Sequence, residues 1–277
     1  MPRFQDKVVI VTGSSSGIGA ATALLFAKEG ARVTITGRKQ DKLQEVHDSI
    51  VAAGVPEDRI LTIVGDLTDE GIQKRLINDT VGRWGHLDVL VNNAGANMNG
   101  GKVGFEADDD AYVKTMQVNL RSVIQLVRLA RPHLVSSKGE IVNISSIAGL
   151  KFASKLAPYY AIAKAGLDQF TRALAIDLIE QGVRVNGVSP GLVKTNFMEN
   201  SGLNKEQSEK VYDFYCSRRG ALPRGSAADP AEIANVIAFL ADRAASSFIV
   251  GQMIVADGGT SLVVGLATFD FASILSS

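Results

Sequence analysis

Seven short runs rich in β-branched and apolar residues alternate with longer segments of helical period along the whole chain: Val8-Val11, Arg32-Thr36, Ile60-Val64, Val89-Val91, Glu140-Ile144, Arg184-Val188 and Gln252-Val255. Strands separated by helices need crossover connections, so the pattern predicts βαβ units and a parallel sheet. Val8-Val9-Ile10-Val11 and Val89-Leu90-Val91 are apolar at every position, as strands are when helices cover both faces. No Pro/Gly/Ser-rich linker or internal repeat breaks the alternation. The expectation is one α/β domain, residues 1–277, built on a doubly wound parallel sheet of seven strands.

Two segments depart from the alternation. Asn97 to Asp110 is rich in Gly and Asp and ends where a long helix, roughly Asp110 to Val135, is predicted to begin. Its Asp108-Asp109-Asp110 run reads as a helix cap rather than a metal site. Thr195 to Ala228 is longer than an ordinary connection and carries Phe197, Met198, Phe214 and Tyr215, the make-up of a substrate-covering loop. The predicted helices Asp110 to Val135 and Tyr160 to Gln181 carry apolar positions on more than one face, which points to partner helices. The tail from Thr260 to Ser277, with Leu262, Leu266, Phe269, Phe271, Ile274 and Leu275, is too apolar for a free end and is expected against a neighbouring subunit or folded back on its own chain.

Composition narrows the class. Lys+Arg and Asp+Glu balance at 29 each, so nothing supports nucleic-acid binding, and small molecules are the expected partners. Cys216 is the only cysteine, which excludes an intramolecular disulfide and suits a reducing compartment. The N-terminus lacks the pattern of a secretory signal, no apolar run approaches the roughly 20 residues that span a bilayer, and a cytoplasmic location is expected. His47, His86 and His133 lie on different elements without paired spacing, and no metal site is expected.

The first strand runs directly into Thr12-Gly13-Ser14-Ser15-Ser16-Gly17-Ile18-Gly19, after which Ala20 to Glu29 reads as a helix. Glycines allow a tight turn and close approach of a pyrophosphate to the backbone, while the helix N-terminus offers N–H groups and partial positive charge. Strand, glycine turn and helix in that order point to a bound dinucleotide. A site for NAD commonly has an acidic residue at the end of the second strand, to hold the ribose hydroxyls. This chain has Gly37-Arg38-Lys39 there. The planar fork of Arg38 suits a 2′-phosphate, favouring NADP(H) over NAD(H). The alternative for Arg38 and Lys39 is a solvated charge pair opening a surface helix.

Tyr160-Ala-Ile-Ala-Lys164 places a phenol and an ammonium one helical turn apart. A cation beside a phenol lowers the pKa from its ordinary value of about 10, making the hydroxyl a usable proton donor or acceptor. Such a pair can interconvert a carbonyl and an alcohol.

The glycine motif, Asp66-Leu67, Asn92-Asn93-Ala94-Gly95, Asn119, Ser145-Ser146, Tyr160 with Lys164, and Pro190-Gly191 occur in the order of the short-chain dehydrogenase/reductase superfamily, which the chain resembles over nearly its whole length. The resemblance implies a Rossmann-type fold and an oxidoreductase that moves hydride between NADP(H) and a carbonyl or alcohol substrate. It implies Tyr160 as general acid in reduction, Lys164 as the partner of the nicotinamide ribose, Ser146 as the partner of the substrate oxygen, and Asn119 as holder of a water in a proton relay. Asp66 would meet the adenine, Asn92 would lie near the adenosine-side ribose, and Val193 with Thr195 would bind the carboxamide. Leu67, Ala94, Gly95, Pro190 and Gly191 complete the cofactor site. A homotetramer is implied as well.

Family members commonly carry the serine thirteen residues before the tyrosine, where this chain has Ile147; Ser146 is fourteen before, implying one extra residue between Leu150 and Pro158. The local match of Asn143-Ile144-Ser145-Ser146 selects Ser146, with Ser145 as the other candidate. The acceptor pocket is expected from Asn97 to Phe105, Leu150 to Tyr159 and Thr195 to Tyr215, whose Phe152, Leu156, Phe197, Met198, Phe214 and Tyr215 suit an apolar ketone or aldehyde. The segments around Tyr160 and Arg184 resemble tropinone-reductase-like and carbonyl-reductase-like members. The alternatives are an NAD-dependent alcohol or steroid dehydrogenase, or a catalytically idle dinucleotide-binding scaffold.

Overall fold

The structure, a computed structural model, describes residues 2–98, 102, 104–150 and 157–263. Seven strands form one sheet: β1 (Val8–Val11), β2 (Arg32–Gly37), β3 (Ile60–Val64), β4 (Val89–Asn92), β5 (Glu140–Ile144), β6 (Arg184–Pro190) and β7 (Met253–Ala256). Their order is β3-β2-β1-β4-β5-β6-β7, and every neighbouring pair is parallel. This is the doubly wound Rossmann-type sheet of a single domain. Strand order reverses between β1 and β4, and in such sheets ligands bind beyond the carboxyl ends of the strands at that switch point.

Alternate residues of each strand feed two cores, which is why the strands are apolar throughout. Val9, Val11, Val33, Ile35 and Val91 pack against α1 (Gly17–Lys28), α2 (Gln40–Ala52) and the later helix Pro230–Ala241. Val8, Ile10, Leu90, Ile141 and Val185 pack against α3 (Glu70–Trp84) and the two long helices near mid-chain. β1, β3 and β5 occupy the limits predicted for them. β6 continues past Val188 because Ser189 and Pro190 pair with Val255 and Ala256 of β7.

The helix expected over Asp110 to Val135 runs without a gap from Asp109 to Ser137, with one wider turn in its middle. It is α4 (Asp109–Met116), a π turn over Gln117–Arg121, and α5 (Ser122–Ser137). Asp108 caps α4, accepting a hydrogen bond from the Ala111 N–H at 3.0 Å. A π turn widens the helix by one residue and is often found at functional sites; here it surrounds the buried Asn119. Next comes α6 (Pro158–Ile179), the helix of Tyr160 and Lys164.

The insertion after β6 folds into α7 (Phe197–Asn200) and α8 (Lys205–Cys216). Asn204 and Gln207 form a reciprocal capping box at the start of α8. The chain then re-enters beside β6, where Val193 bridges Ala228, before α9 (Pro230–Ala241). At the opposite rim of the sheet, buried Glu140 lies between Arg184 at 3.0 Å and Arg243 at 2.7 Å. Arg184 also donates to the Leu240, Ser246 and Ile249 carbonyls at 2.9, 2.7 and 3.0 Å, closing the end of α9 onto β6. Among the described residues, no helix is long and apolar enough to cross a membrane, and no group of three or more His, Cys, Asp or Glu could hold a metal. The predicted contacts of Phe152 and Leu156, the extra residue of the loop before Pro158, and the tail from Leu266 onward lie outside the described residues.

Candidate active site

A cleft of about 560 Å³ opens at the carboxyl rim, over the switch point. One half is bounded by the turn after β1. Gly13, at φ +64°, packs so closely under Ala94 that a Cβ would lie 2.8 Å from the Ala94 Cα, and a Cβ on Gly19 would collide with the Gly13 carbonyl and the Asn93 amide. Ser15, Ser16, Gly17 and Ile18 line the cleft. Ser16 occupies the N-cap of α1 without a side-chain capping bond, so the first-turn N–H groups are left to an anion. This glycine cradle and uncapped helix end fit a pyrophosphate.

Thr12 and Ser14 are not on the cleft wall; they build it. The Thr12 hydroxyl accepts hydrogen bonds from the Asn93 and Ala94 N–H groups at 2.9 and 3.0 Å, fixing the loop after β4 against β1. Ser14 donates to the Val11 carbonyl at 2.9 Å and accepts from the Thr36 N–H at 2.8 Å, fixing the end of β2. That strand end delivers Arg38 to the rim of the cleft, exposed and, among the described residues, without an ion-pair partner. Lys39 follows it at the N-cap of α2, exposed and beside the cleft wall rather than on it. Asp66 and Leu67 lie on the wall, with Asp66 Oδ1 occupied by the Thr68 N–H at 2.9 Å and hydroxyl at 2.8 Å.

The side chain of Asn92 is turned away from the cleft. It shares a face of β4 with Leu90 and therefore points into the core, where its amide donates to Asn143 at 2.8 Å; Asn143 in turn donates to Thr171 of α6 at 2.9 Å. Asn93, Ala94 and Gly95 line the cleft, with the Asn93 amide donating to the Thr12 and Gly13 carbonyls at 2.9 and 3.1 Å and so bracing the glycine turn. Pro190, Gly191, Val193 and Thr195 form the far wall.

The other half of the cleft holds Ser146, Tyr160 and Lys164. The Ser146 hydroxyl lies near that of Tyr160, close enough to oppose the rise in its pKa, and the Ser146 Oγ accepts from the Ala148 N–H at 3.1 Å. Phe197 of α7 lies against the Tyr160 ring, centroids 5.3 Å apart. Ser145 also borders the cleft, but its hydroxyl is engaged, donating to the Lys164 carbonyl at 3.2 Å. Thus Ser146, not Ser145, faces Tyr160.

Lys164 is buried and donates to the Ile144 carbonyl at 2.8 Å. Burial pushes its pKa down to about 8, opposed by the negative charge of Asp168 one turn further along α6. Burial also pushes the Tyr160 phenol up to about 12, opposed by the Ser146 hydroxyl. The lowering expected from Lys164 does not appear, because Nζ lies 5.6 Å from the tyrosine ring centre and is directed at Ile144. Asp168 itself is buried; burial raises its pKa, with Ser145, Arg172 and Lys164 pulling the other way.

Asn119 stands behind this group rather than on the cleft wall. Its amide donates to the Ala96 and Thr115 carbonyls at 2.7 and 2.8 Å, and Oδ1 accepts from the Ala96 N–H at 3.2 Å. Both side-chain donors are therefore occupied, and a relay water would have to be met by Oδ1 or the backbone. Gly95 separates it from the lysine: a Cβ there would fall 2.8 Å from Asn119 Oδ1 and 3.2 Å from Lys164 Nζ. The residue missed in the sequence is Tyr212, whose hydroxyl enters the cleft wall from α8. No spacing or motif marks it.

A nucleotide cradle and a hydroxyl pair beside a buried lysine, on one parallel sheet, define an oxidoreductase of carbonyl and alcohol groups. Residues 13–261 match the family model described as enoyl-(acyl carrier protein) reductase, and the chain belongs to this family within the short-chain dehydrogenase/reductase superfamily. A crystal structure of a Caenorhabditis elegans short-chain dehydrogenase/reductase of unknown function, solved with cofactor, is 51% identical, covers 97% of this chain and 100% of that one, and superposes with a TM-score of 0.95. Glucose dehydrogenase of the same organism, in its apo form, is 49% identical over 94% of this chain and 100% of that one, with a TM-score of 0.82. Meso-2,3-butanediol dehydrogenase of Serratia marcescens is 38% identical over 259 residues, 94% of this chain and 96% of its own length.

Proposed function

We propose that this chain is an NADP(H)-dependent reductase that converts a ketone or aldehyde of a small to medium apolar substrate into an alcohol, or runs the reverse. The observation that carries the reading is the convergence of Ser146, Tyr160 and Lys164 on one stretch of the cleft wall, with Lys164 Nζ 5.6 Å from the tyrosine ring centre. Bound in the cleft, the nicotinamide supplies the hydride. Tyr160, held neutral by burial, gives its hydroxyl proton to the carbonyl oxygen, and Ser146 steadies that oxygen as negative charge develops. The Lys164 ammonium, 5.6 Å from the tyrosine ring centre, would bond the nicotinamide ribose and from there would favour the phenolate that Tyr160 passes through before it is reprotonated. Asn119 holds the Ala96 backbone and so the loop above the lysine.

Arg38, without an ion-pair partner among the described residues at the rim, supports NADP(H) over NAD(H) by matching the extra phosphate. Gly13, Ser15, Ser16, Gly17, Ile18 and Gly19 would receive the pyrophosphate, Asp66 and Leu67 the adenine, Asn93 with Ala94 and Gly95 the ribose, and Val193 with Thr195 the carboxamide. Met98, Leu192, Phe197 and Met198 give the described part of the acceptor wall an apolar character. The substrates named for the similar proteins, glucose and meso-2,3-butanediol, both carry hydroxyl groups, which supports the chemistry without choosing a substrate. The Tyr160 and Arg184 segments support a tropinone-reductase-like or carbonyl-reductase-like member. Exposed Ile176 and Ile179 on α6, with Phe248 fully exposed, support a homotetramer, and the single thiol of Cys216 supports a reducing, cytoplasmic setting. The test is turnover of a ketone and aldehyde panel with NADPH and with NADH, wild type against Tyr160→Phe. Binding of dinucleotide without turnover of any substrate leaves the idle scaffold.

A further inference from the structure

The hydroxyl of Tyr212 reaches from α8 into the segment that follows β6. It accepts a hydrogen bond from the Thr195 N–H at 3.1 Å and faces the carbonyl oxygens of Val193 at 2.8 Å and Thr195 at 3.1 Å. A phenol has one proton, and Val193 is the nearer acceptor. The outer side of the same segment is fastened separately: the Lys194 N–H donates to the Ala228 carbonyl, and the Ala228 N–H to the Leu192 carbonyl, both at 2.9 Å. The inner side, toward the cleft, is held by Tyr212.

That inner side matters for the width of the cleft. Thr195 packs over the glycine turn, where a Cβ on Gly17 would lie 2.9 Å from the Thr195 Cγ2. The segment belongs to no helix or long strand, so its side toward the cleft takes its position from local bonds such as these. The Phe197 N–H adds a bond to the Thr195 hydroxyl at 3.3 Å, and Phe197 lies against Tyr160. Tyr212 therefore acts on the wall nearest the proton donor while touching neither hydroxyl of the Ser146–Tyr160 pair.

We infer that Tyr212 is a positioning residue for the nicotinamide end of the cofactor: its hydroxyl holds Val193 and Thr195 in the geometry that receives the carboxamide and ties them to the helix covering the substrate. The inference rests on the reading of the cleft as a dinucleotide site. Placement errors of about an ångström in such a wall cost rate as well as affinity.

Tyr212→Phe keeps the ring and removes the hydroxyl. Calorimetric titration compares NADPH with adenosine 2′,5′-bisphosphate, which carries only the adenine end. Affinity for NADPH is expected to fall roughly tenfold, the scale of one or two lost hydrogen bonds, while the fragment binds as before. Unchanged affinity for NADPH, or an equal loss for both ligands, overturns the assignment. Amide exchange in the wild type gives an independent reading should the variant fold poorly: the Thr195 N–H is expected to be protected, and exchange at the rate of an open loop overturns the clamp. A wild type that binds neither NADPH nor NADH refutes the cofactor reading and this inference with it. Binding of NADH alone refutes only the 2′-phosphate reading, and the comparison is then made with NADH and AMP.

Discussion

Replacing Lys164 with methionine is expected to make the protein more stable and inactive. Lys164 is 3% exposed, and burial lowers its pKa from 10.5 to about 8. A displacement of that size corresponds to about 3 kcal/mol between the two protonation states. The unfolded chain holds this proton freely up to its ordinary pKa, whereas the folded chain holds it against burial. The penalty is therefore present in full below pH 8 and fades as pH rises toward 10.5. Methionine fills a similar volume without the charge, but it leaves the Ile144 carbonyl without its 2.8 Å donor and Asp168 without its cation. Allowing for those losses, Lys164→Met should gain about 1–2 kcal/mol at pH 7, or roughly 2–8 °C in Tm for a chain of this size. Thermal unfolding followed at pH 7 and again near pH 10 checks both the sign and its decline, and turnover should be lost at either pH. A methionine variant that melts below the wild type at pH 7 would refute the reasoning, because the bonds of the ammonium would then outweigh its desolvation.

Tyr160→Phe should lower turnover by about 10²–10⁴-fold with NADPH binding nearly intact, since only the proton donor is removed; more than a third of wild-type rate would sink the assignment. Arg38→Ala should weaken NADPH by roughly 1.5–3 kcal/mol and NADH much less, measured by fluorescence titration. Equal losses would show that the guanidinium does not meet a 2′-phosphate. Glu140→Ala should cost about 3–5 kcal/mol in urea unfolding, because Arg184 is left buried without its carboxylate. An unchanged midpoint would mean that the three carbonyls around Arg184 suffice to satisfy it.

The strands were legible because hydrophobic burial on both faces writes continuous apolar runs, and β1, β3 and β5 fall where those runs fall. The same double burial hid the direction of Asn92. When both faces are apolar, alternation does not say which side of β4 meets the cleft, and only the packing of Leu90 and Asn92 toward α6 resolves it. Ser146 could be singled out from the local motif, although its distance from Tyr160 departs from the family spacing. The π turn was illegible for a different reason. Ala111, Thr115, Asn119, Val123 and Val127 are buried at every fourth position, a period that in sequence looks like one ordinary helix face. The pKa of Tyr160 depends on where Lys164 Nζ points, which spacing along α6 does not specify. Tyr212 was beyond reach because its partners are backbone atoms nineteen and seventeen residues away.

That wide turn around Asn119 also separates two duties carried by one run of helix. Four-residue steps on an α-helix overshoot by about 40° each, and the additional residue of the π turn absorbs the overshoot. Lys114 of α4, with Gln117 and Val118 of the π turn, lines the cleft. Beyond Asn119, α5 is committed to the core through Val123, Leu126 and Val127. A substitution at Lys114 can therefore reshape the cleft wall without touching the contacts that keep the sheet folded.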